Sequence, residues 1–387
     1  MNFGLTETQQ TQKNTVRKFL AAECPMADVR KLMETDTAFD PALWRKIAEQ
    51  GWTGIIFPEE YGGFGMGMVE MAVTLEEMGR ALLPGPYFST VLAAGTLLES
   101  AGNENQKQKY LAPICSGEVK ATVALLEESA SWDPGAVMLS AAGFSLVGRK
   151  LFVPDAAVAD FLICAARLDG DLALFVVPAR SHGMEIKPMP TMDNTRKLYE
   201  VAFDGVSLPR ENLLARGDRA RAVLERSLDI ATVGLVAEMT GGMQRLLEVT
   251  VEYAKTRKQF GRPIGEFQAV QHQCADMLLY TESTRSAAYY AAYAIHEGIP
   301  EARLAVSVAK AYASDAYREV GNRAIQVHGG MGFTWENDAH LYYRRAKASE
   351  LAYGDGAYHR ERVAKMVVDQ QAAREQEEIV LAANERE

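Results

Sequence analysis

Arg257, Gln259 and Gln268 are the side chains whose types and spacing point most directly to chemistry. They lie in Tyr253-Ala-Lys-Thr-Arg257-Lys-Gln259-Phe260-Gly261-Arg-Pro263-Ile264-Gly-Glu-Phe267-Gln268, where one apolar-periodic segment passes through a tight Gly261/Pro263 turn into another. A planar guanidinium pairs bidentately with a pyrophosphate, and carboxamides read the edge of a ring. By residue type alone, the same string is also a basic corner between two helices. A second run, Gln326-Val-His-Gly329-Gly330-Met-Gly332-Phe333, ends in glycines that either let backbone approach a ligand closely or make a tight turn.

Other chemistries are not signalled. The histidines at 182, 272, 296, 328, 340 and 359 form no HxxxH or HExxH pattern, so a zinc site is not expected. There is no GxSxG elbow for a nucleophilic serine. Gly62-Gly63-Phe64-Gly65-Met66-Gly67 lacks GxGxxG spacing and a surrounding βαβ unit, and reads as a loop closing a helical domain. Cys24, Cys115, Cys164 and Cys274 are scattered without a CxxC pair, as expected for buried thiols in a reducing compartment. A formal charge of −10 argues against a nucleic-acid partner. No apolar run approaches the roughly 20 residues of a membrane span. The N-terminal residues lack a signal-peptide pattern, so a cytoplasmic protein is expected.

The elements that must position these groups follow from periodicity and punctuation. Residues 1–118 read as a helical domain: Thr6 precedes one helix, Pro41 opens another, and Gly51 stops it. Met68–Leu83 and Phe88–Glu99 read as longer helices parted by Pro84-Gly-Pro86. Between 119 and 215 come short apolar runs, Ala121–Leu126, Phe144–Val153, Phe161–Ala166 and Leu172–Val177, broken by Pro134-Gly135, Asp169-Gly170 and Pro188/Pro190. That texture predicts a small antiparallel β-domain, with Asp169-Gly170 as a hairpin turn. From 216 to 387 the helical period returns, with one stripe through Val236, Met239, Met243, Leu247 and Val251. A second stripe runs through Val270, Cys274, Met277, Thr281, Arg285, Ala288, Ala292 and Ile295. Long successive helices predict a four-helix-type bundle, with the charged 375–387 segment fraying at its end. Helices, then strands, then helices make an α+β chain with segregated layers.

The 253–272 string resembles the flavin-binding segment of the acyl-CoA dehydrogenase family, and the resemblance extends over almost the whole chain. Pro58-Glu-Glu-Tyr-Gly62-Gly63-Phe-Gly65 with Thr74-Leu-Glu-Glu-Met-Gly79-Arg is similar to the family's first helical domain. Gly148-Arg-Lys150-Leu-Phe152-Val153 followed by Ala159-Asp160 resembles its β-barrel-like domain, and Val206-Ser-Leu-Pro209 its exit strand. Phe333-Thr-Trp335-Glu and His340-Leu-Tyr-Tyr-Arg-Arg345 resemble bacterial members acting on bulky or ring-containing acyl-CoAs, some built from two paralogous subunits.

The resemblance implies FAD held across a subunit interface of a homo- or hetero-tetramer, α,β-dehydrogenation of an acyl-CoA, and electrons leaving to an electron-transfer flavoprotein. By matching positions, it implies that Arg257 and Gln259 meet the pyrophosphate from a neighbouring subunit. Phe260, Phe267 and Gln268 would line the cofactor, and Gln326 with Gly329 and Gly330 would close over its nucleotide end. Asp229 falls where the family touches substrate, and Lys365 where it keeps a basic residue near the CoA.

Removing a proton from the α-carbon of a thioester needs a positioned carboxylate whose pKa is raised by an apolar pocket. Where the family carries Glu-Gly-Thr, this sequence has Tyr353-Gly354-Asp355, and a phenol of pKa about 10 is a poor acceptor. The family's other location for the acid falls near Ala231. Asp355 and Asp229 are therefore the candidate bases, and Glu238 reads as a packing or interface charge. Asp355 alternatively takes the place of the loop threonine and hydrogen-bonds the flavin. Leu126 opens the loop Leu126-Glu127-Glu128-Ser129-Ala130-Ser131-Trp132, which the family sets against the flavin as Thr-Glu-Pro-x-Ala-Gly-Ser. Pro154 stands where a hydroxyl is often found, and it has no donor. These departures leave open a second reading, a half-site subunit that completes the FAD site of a paralogue.

Overall fold

A computed structural model describes residues 4–369; the expected fraying segment 375–387 lies outside them. The N-terminal helices are α1 (Glu7–Glu23), α2 (Met26–Met33), α3 (Pro41–Glu49) and α4 (Met68–Arg80). Thr6 caps α1 by accepting from Gln9 N at 3.2 Å, while Gln9 Oε1 accepts from Thr6 N at 2.9 Å, a reciprocal box that satisfies two otherwise orphaned donors. Asp40 caps α3 with Pro41 in its first turn, and Gly51 in the left-handed region follows its end. The α4 helix stops at Arg80, short of the expected Leu83, because Leu82 turns left-handed at φ 50°. A π-helical stretch, Phe88–Gly95, runs into α5 (Thr96–Ala101), followed by the short α6 (Glu104–Gln106) and α7 (Ala112–Cys115).

The β-domain holds β1 (Ala121–Ala124), β2 (Ser145–Pro154), β3 (Phe161–Leu168), β4 (Asp171–Pro178), β5 (Met184–Met189), β6 (Leu198–Ser207) and β7 (Leu213–Arg216). They form a four-stranded sheet in the order β1-β3-β4-β7 and a three-stranded sheet in the order β2-β6-β5. The expected all-antiparallel arrangement is corrected at one edge: β1 lies parallel to β3, Ala121 opposite Phe161. The connection from β1 to β3 crosses through β2 in the other sheet, so β1 and β3 are not hairpin partners. Bridges from Ser140 to Val147 and to Arg167 link the two sheets; a closed barrel is not shown. Asp169 (φ 50°) and Gly170 (φ 90°) make the two-residue turn between β3 and β4, as the Asp-Gly pair demands. The β3–β4 hairpin is buried on both faces. Ile163, Ala165, Leu174 and Val176 face the main core, while Leu162, Cys164, Phe175 and Val177 face a second core inside the β-domain, the strand period dividing them.

The bundle begins with the 40-residue α8 (Gly217–Thr256). A small hairpin of β8 (Lys258–Gln259) and β9 (Arg262–Pro263) leads into α9 (Gln268–Glu297), α10 (Ala302–His328), α11 (Ala339–Leu351) and α12 (Gly356–Ala364). Two glycines let α4 and α8 cross backbone to backbone. A Cβ at Gly241 would lie 1.7 Å from the Glu76 carbonyl oxygen, and one at Gly79 would lie 2.0 Å from that of Glu238. This crossing fixes the N-terminal domain on the bundle and places Glu238 beside α4. On α9, Met277, Thr281, Ala288 and Ala292 are buried, but Val270 and Cys274 of the expected stripe are only half covered.

Candidate active site

A cavity of about 780 Å³ opens where the π-helical stretch, β1, β2, α8 and the loop after α11 meet. Leu83, Leu97, Val123, Leu125, Leu224 and Leu228 make much of its wall apolar. Leu126 and Asp355 also line it. Asp229 does not, although its neighbours Ser227, Leu228 and Ala231 do.

The loop Tyr353-Gly354-Asp355 is held from below. Lys310, fully buried on α10, donates to Gly354 O at 2.7 Å, Glu350 O at 3.0 Å and Ser314 Oγ at 3.0 Å. Burial pulls its ammonium down to about 7, against the pull of Asp355 and Glu350. His359 Nε2 donates to Tyr353 O at 2.9 Å, and burial depresses its imidazole to about 3. Asp355 caps α12, its Oδ1 accepting from Tyr358 N at 2.8 Å. Tyr353 sits at φ +57°, a strained position for a residue with a Cβ. Its ring stacks on Trp132 with centroids 4.8 Å apart. Burial pushes the Tyr353 phenol above its ordinary range, so it stays protonated at neutral pH.

Asp229 is buried and ion-paired to Arg362 at 2.7 Å and Arg303 at 3.3 Å. Burial raises its carboxyl more than the two arginines lower it. Lys365 is exposed on the turn after α12 and pairs with Glu361 at 3.4 Å.

Three cavity groups, Ser89, Asp155 and Arg196, carry no mark in the sequence, and a fourth, Glu238, is read there for another role. Asp155, 7 % exposed, accepts from Ser89 Oγ at 2.6 Å. Burial pushes its carboxyl up to about 6, opposed by the Ser89 hydrogen bond and by Arg196. Arg196 pairs with Glu238 and lies 5.2 Å over the Phe88 ring. Glu238, read as a packing or interface charge, thus faces the cavity through an ion pair. Its signal was its place in Leu235-Val236-Ala237-Glu238-Met239, because an acid within a buried run requires a partner. Ser89, Asp155 and Arg196 carry no comparable local sign.

The remaining candidate residues gather elsewhere. Tyr253 near the end of α8 stacks on His328 at the end of α10, centroids 4.5 Å apart and planes 22° from parallel. This contact brings the two conspicuous sequence runs to one corner of the bundle. There Arg257 is exposed and has no side-chain partner among the described residues. Phe260, at the tip of the β8–β9 hairpin, is 92 % exposed, with Phe267 edge-on at 6.1 Å. Gln259, Gln268, Gln326, Gly329 and Gly330 are exposed as well. Gly329 has φ +58°, and a Cβ on either glycine would meet nothing within 4 Å, so the backbone is open to a ligand. A free guanidinium, a bare aromatic ring and open glycine backbone fit a dinucleotide's phosphates and ring. None of these residues lines the cavity, where Leu126 stands. Among the described residues no cluster of His, Cys, Asp or Glu could hold a metal, and no helix is long and apolar enough to cross a membrane.

Comparison with known proteins decides the family. The description "Acyl-CoA dehydrogenase, N-terminal domain" matches residues 6–118, and "Acyl-CoA dehydrogenase, C-terminal domain" matches residues 220–368. Acyl-CoA dehydrogenase IpdE2 of Mycolicibacterium smegmatis is 32% identical over 352 residues, covering 90% of this chain and 96% of that protein. The chain belongs to the acyl-CoA dehydrogenase family. Butyryl-CoA dehydrogenase from Megasphaera elsdenii superposes with a TM-score of 0.87 at 26% identity, covering 95% of this chain and 100% of that one. The ChsE4–ChsE5 complex from Mycobacterium tuberculosis gives 0.87 at 29% identity, with 95% and 99% covered. As an acyl-CoA dehydrogenase the chain is an oxidoreductase acting on the CH–CH bond of acyl-CoA thioesters, and FAD is the cofactor of the family.

Proposed function

We propose that this acyl-CoA dehydrogenase introduces an α,β double bond into an acyl-CoA in the Leu126/Tyr353/Asp355 cavity, and that its electrons pass to an electron-transfer flavoprotein. The observation that carries this reading is a largely apolar cavity walled by the loop that bears Tyr353 and Asp355. Such a site excludes water from the thioester.

Bound FAD supplies the acceptor for the β-hydride. Arg257 and Gln259 hold its pyrophosphate, Phe260, Phe267 and Gln268 cover it, and Gln326, Gly329 and Gly330 enclose its nucleotide end. These residues lie off the cavity wall, which supports their service to a neighbouring subunit's cavity in a tetramer. Leu126 faces the cofactor within its own subunit. Asp355 takes the α-proton with Oδ2, since Oδ1 is committed to the Tyr358 N–H. Asp229 is the second candidate for that proton; held by Arg303 and Arg362, it also braces the CoA-side rim, and Lys365 meets the CoA. Tyr353 and Trp132 wall the reacting carbon from water. A cytoplasmic location agrees with the four free thiols.

The test is anaerobic titration of the purified chain with acyl-CoAs. A yellow protein whose flavin bleaches supports the enzyme. A colourless chain that gains flavin only with a paralogue is instead a half-site subunit.

A further inference from the structure

Ser89, Asp155, Arg196 and Glu238 come from four separate elements to one stretch of the cavity wall, in surroundings where an alkyl chain would want none of them. Arg196 spends one guanidinium N–H on Glu238 Oε2. Its Nε and Nη1 have no acceptor among the described residues, and the side chain, 23% exposed, opens onto the cavity. Asp155 accepts from Ser89 with Oδ2, and its Oδ1 is uncommitted. Unused donors and an unused acceptor thus sit side by side.

A second observation concerns the other end. Ser227 is 3% exposed and lines the cavity, and its hydroxyl has no hydrogen-bond partner. Ser227 and Glu238 share α8, so they stand about 16 Å apart along the axis at about 1.5 Å per residue. The Ser227 hydroxyl oxygen is closed off, so the unpaired polar atoms that a ligand can meet on this helix side lie at the Arg196 end. With CoA at the Asp229 rim as proposed above, two residues from Ser227, the Arg196 end is left for the acyl group.

Charge selects among polar acyl groups. Arg196 is the cation of this stretch, with Glu238 and Asp155 as acids beside it, while the Arg345–Asp193 pair and the Lys347–Glu350 pair on the cavity wall are each balanced. A carboxylate would add an anion where acids already outnumber the cation. A ketone or hydroxyl accepts from Arg196 without that repulsion, and a hydroxyl also donates to Asp155. A plain alkyl tail would cover the guanidinium and leave its donors unmade, which a site built for hydrogen bonding rejects strongly.

Resting on the dehydrogenase reading above, we infer that the enzyme's substrates are acyl-CoAs carrying an uncharged oxygen, a ketone or hydroxyl, on the acyl group away from the thioester, read by Arg196 and Asp155. Octanoyl-CoA, its ω-hydroxy and terminal methyl-ketone analogues, and its ω-carboxy analogue are compared on the FAD-loaded protein by anaerobic flavin reduction. Their non-reactive β-thia counterparts are compared by equilibrium binding. The hydroxy or ketone ligand is expected to exceed both octanoyl and ω-carboxy ligands by about tenfold or more in kcat/KM and in affinity. That ratio should fall to near one in R196M. Because R196M leaves Glu238 buried without its partner, R196M/E238Q, which removes both charges, is measured in parallel. Preference for octanoyl or ω-carboxy ligands, or a ratio that survives in either folded variant, overturns the inference. If no acyl-CoA reduces the flavin, the dehydrogenase reading fails, while the β-thia binding ratio still decides this inference. Binding of none of them overturns both.

Discussion

Tyr353 stacks on Trp132, ring centroids 4.8 Å apart and planes 28° from parallel. One lies in the loop before α12 and the other in the loop after β1, and the fold puts them in contact. Tyr353 also lies 5.7 Å from Phe88, so this side of the cavity is an aromatic wall. If that wall is its whole role, Y353F should reduce flavin within about threefold of the parent, since the stacking is kept. W132A should lower stability by about 1–2 kcal/mol and loosen the loop, read by denaturant unfolding and by the rate of flavin reduction.

Asp355 is the residue we propose for proton removal. Asparagine still caps a helix, so D355N should keep the melting temperature while flavin reduction slows by about 100-fold or more. D229N breaks pairs with Arg303 and Arg362, and its effect should fall on stability and CoA affinity. Slowed bleaching in D229N with unchanged affinity, and none in D355N, would reverse the two assignments.

Arg257 should matter to cofactor content and not to folding. Its guanidinium is exposed and unpartnered among the described residues, so R257A should leave thermal unfolding of the apoprotein unchanged. FAD affinity should fall by about tenfold or more, as the loss of a charge-assisted pair requires. Flavin content equal to the parent would remove Arg257 from the cofactor site.

Lys310 and His359 hold the 353–355 loop, and they respond differently to change. K310M leaves the Glu350 and Gly354 carbonyls without their donor and should cost about 2–4 kcal/mol. His359 is held neutral: burial depresses its imidazole from 6.5 to about 3, with Lys310 and Arg362 adding to the effect. A depressed folded pKa means the unfolded chain binds the proton more readily. The stability from neutral His359 is therefore full above about pH 6.5 and is lost as pH falls toward 3. H359Q retains a donor for Tyr353 O and does not titrate, so unfolding followed from pH 7 downward should show a flatter acid limb than the parent.

Local signals made most of the fold legible. Thr6, Pro41, Gly51 and Asp169-Gly170 act through bonds to near neighbours, and each appears in the structure where its chemistry placed it. Periodicity marked α8 and the buried half of α9. The parallel β1–β3 pairing was not legible, because strand partnership depends on chain folded far away in sequence. The same reason hid the cavity's polar groups. Ser89, Asp155 and Arg196 are ordinary residues until four elements converge, and only Glu238, alone among apolar neighbours, carried a trace of its burial. The 253–268 and 326–333 runs stood out by composition, yet their meeting through Tyr253 and His328 is a tertiary fact.

The most direct measurement is anaerobic stopped-flow absorbance of the FAD-loaded protein mixed with plain and oxygen-bearing acyl-CoAs. Flavin bleaching in a substrate-dependent, saturable phase, with release of the matching enoyl-CoA, is the expected result. A protein that binds FAD and acyl-CoA but keeps its flavin fully oxidised with every thioester would contradict it.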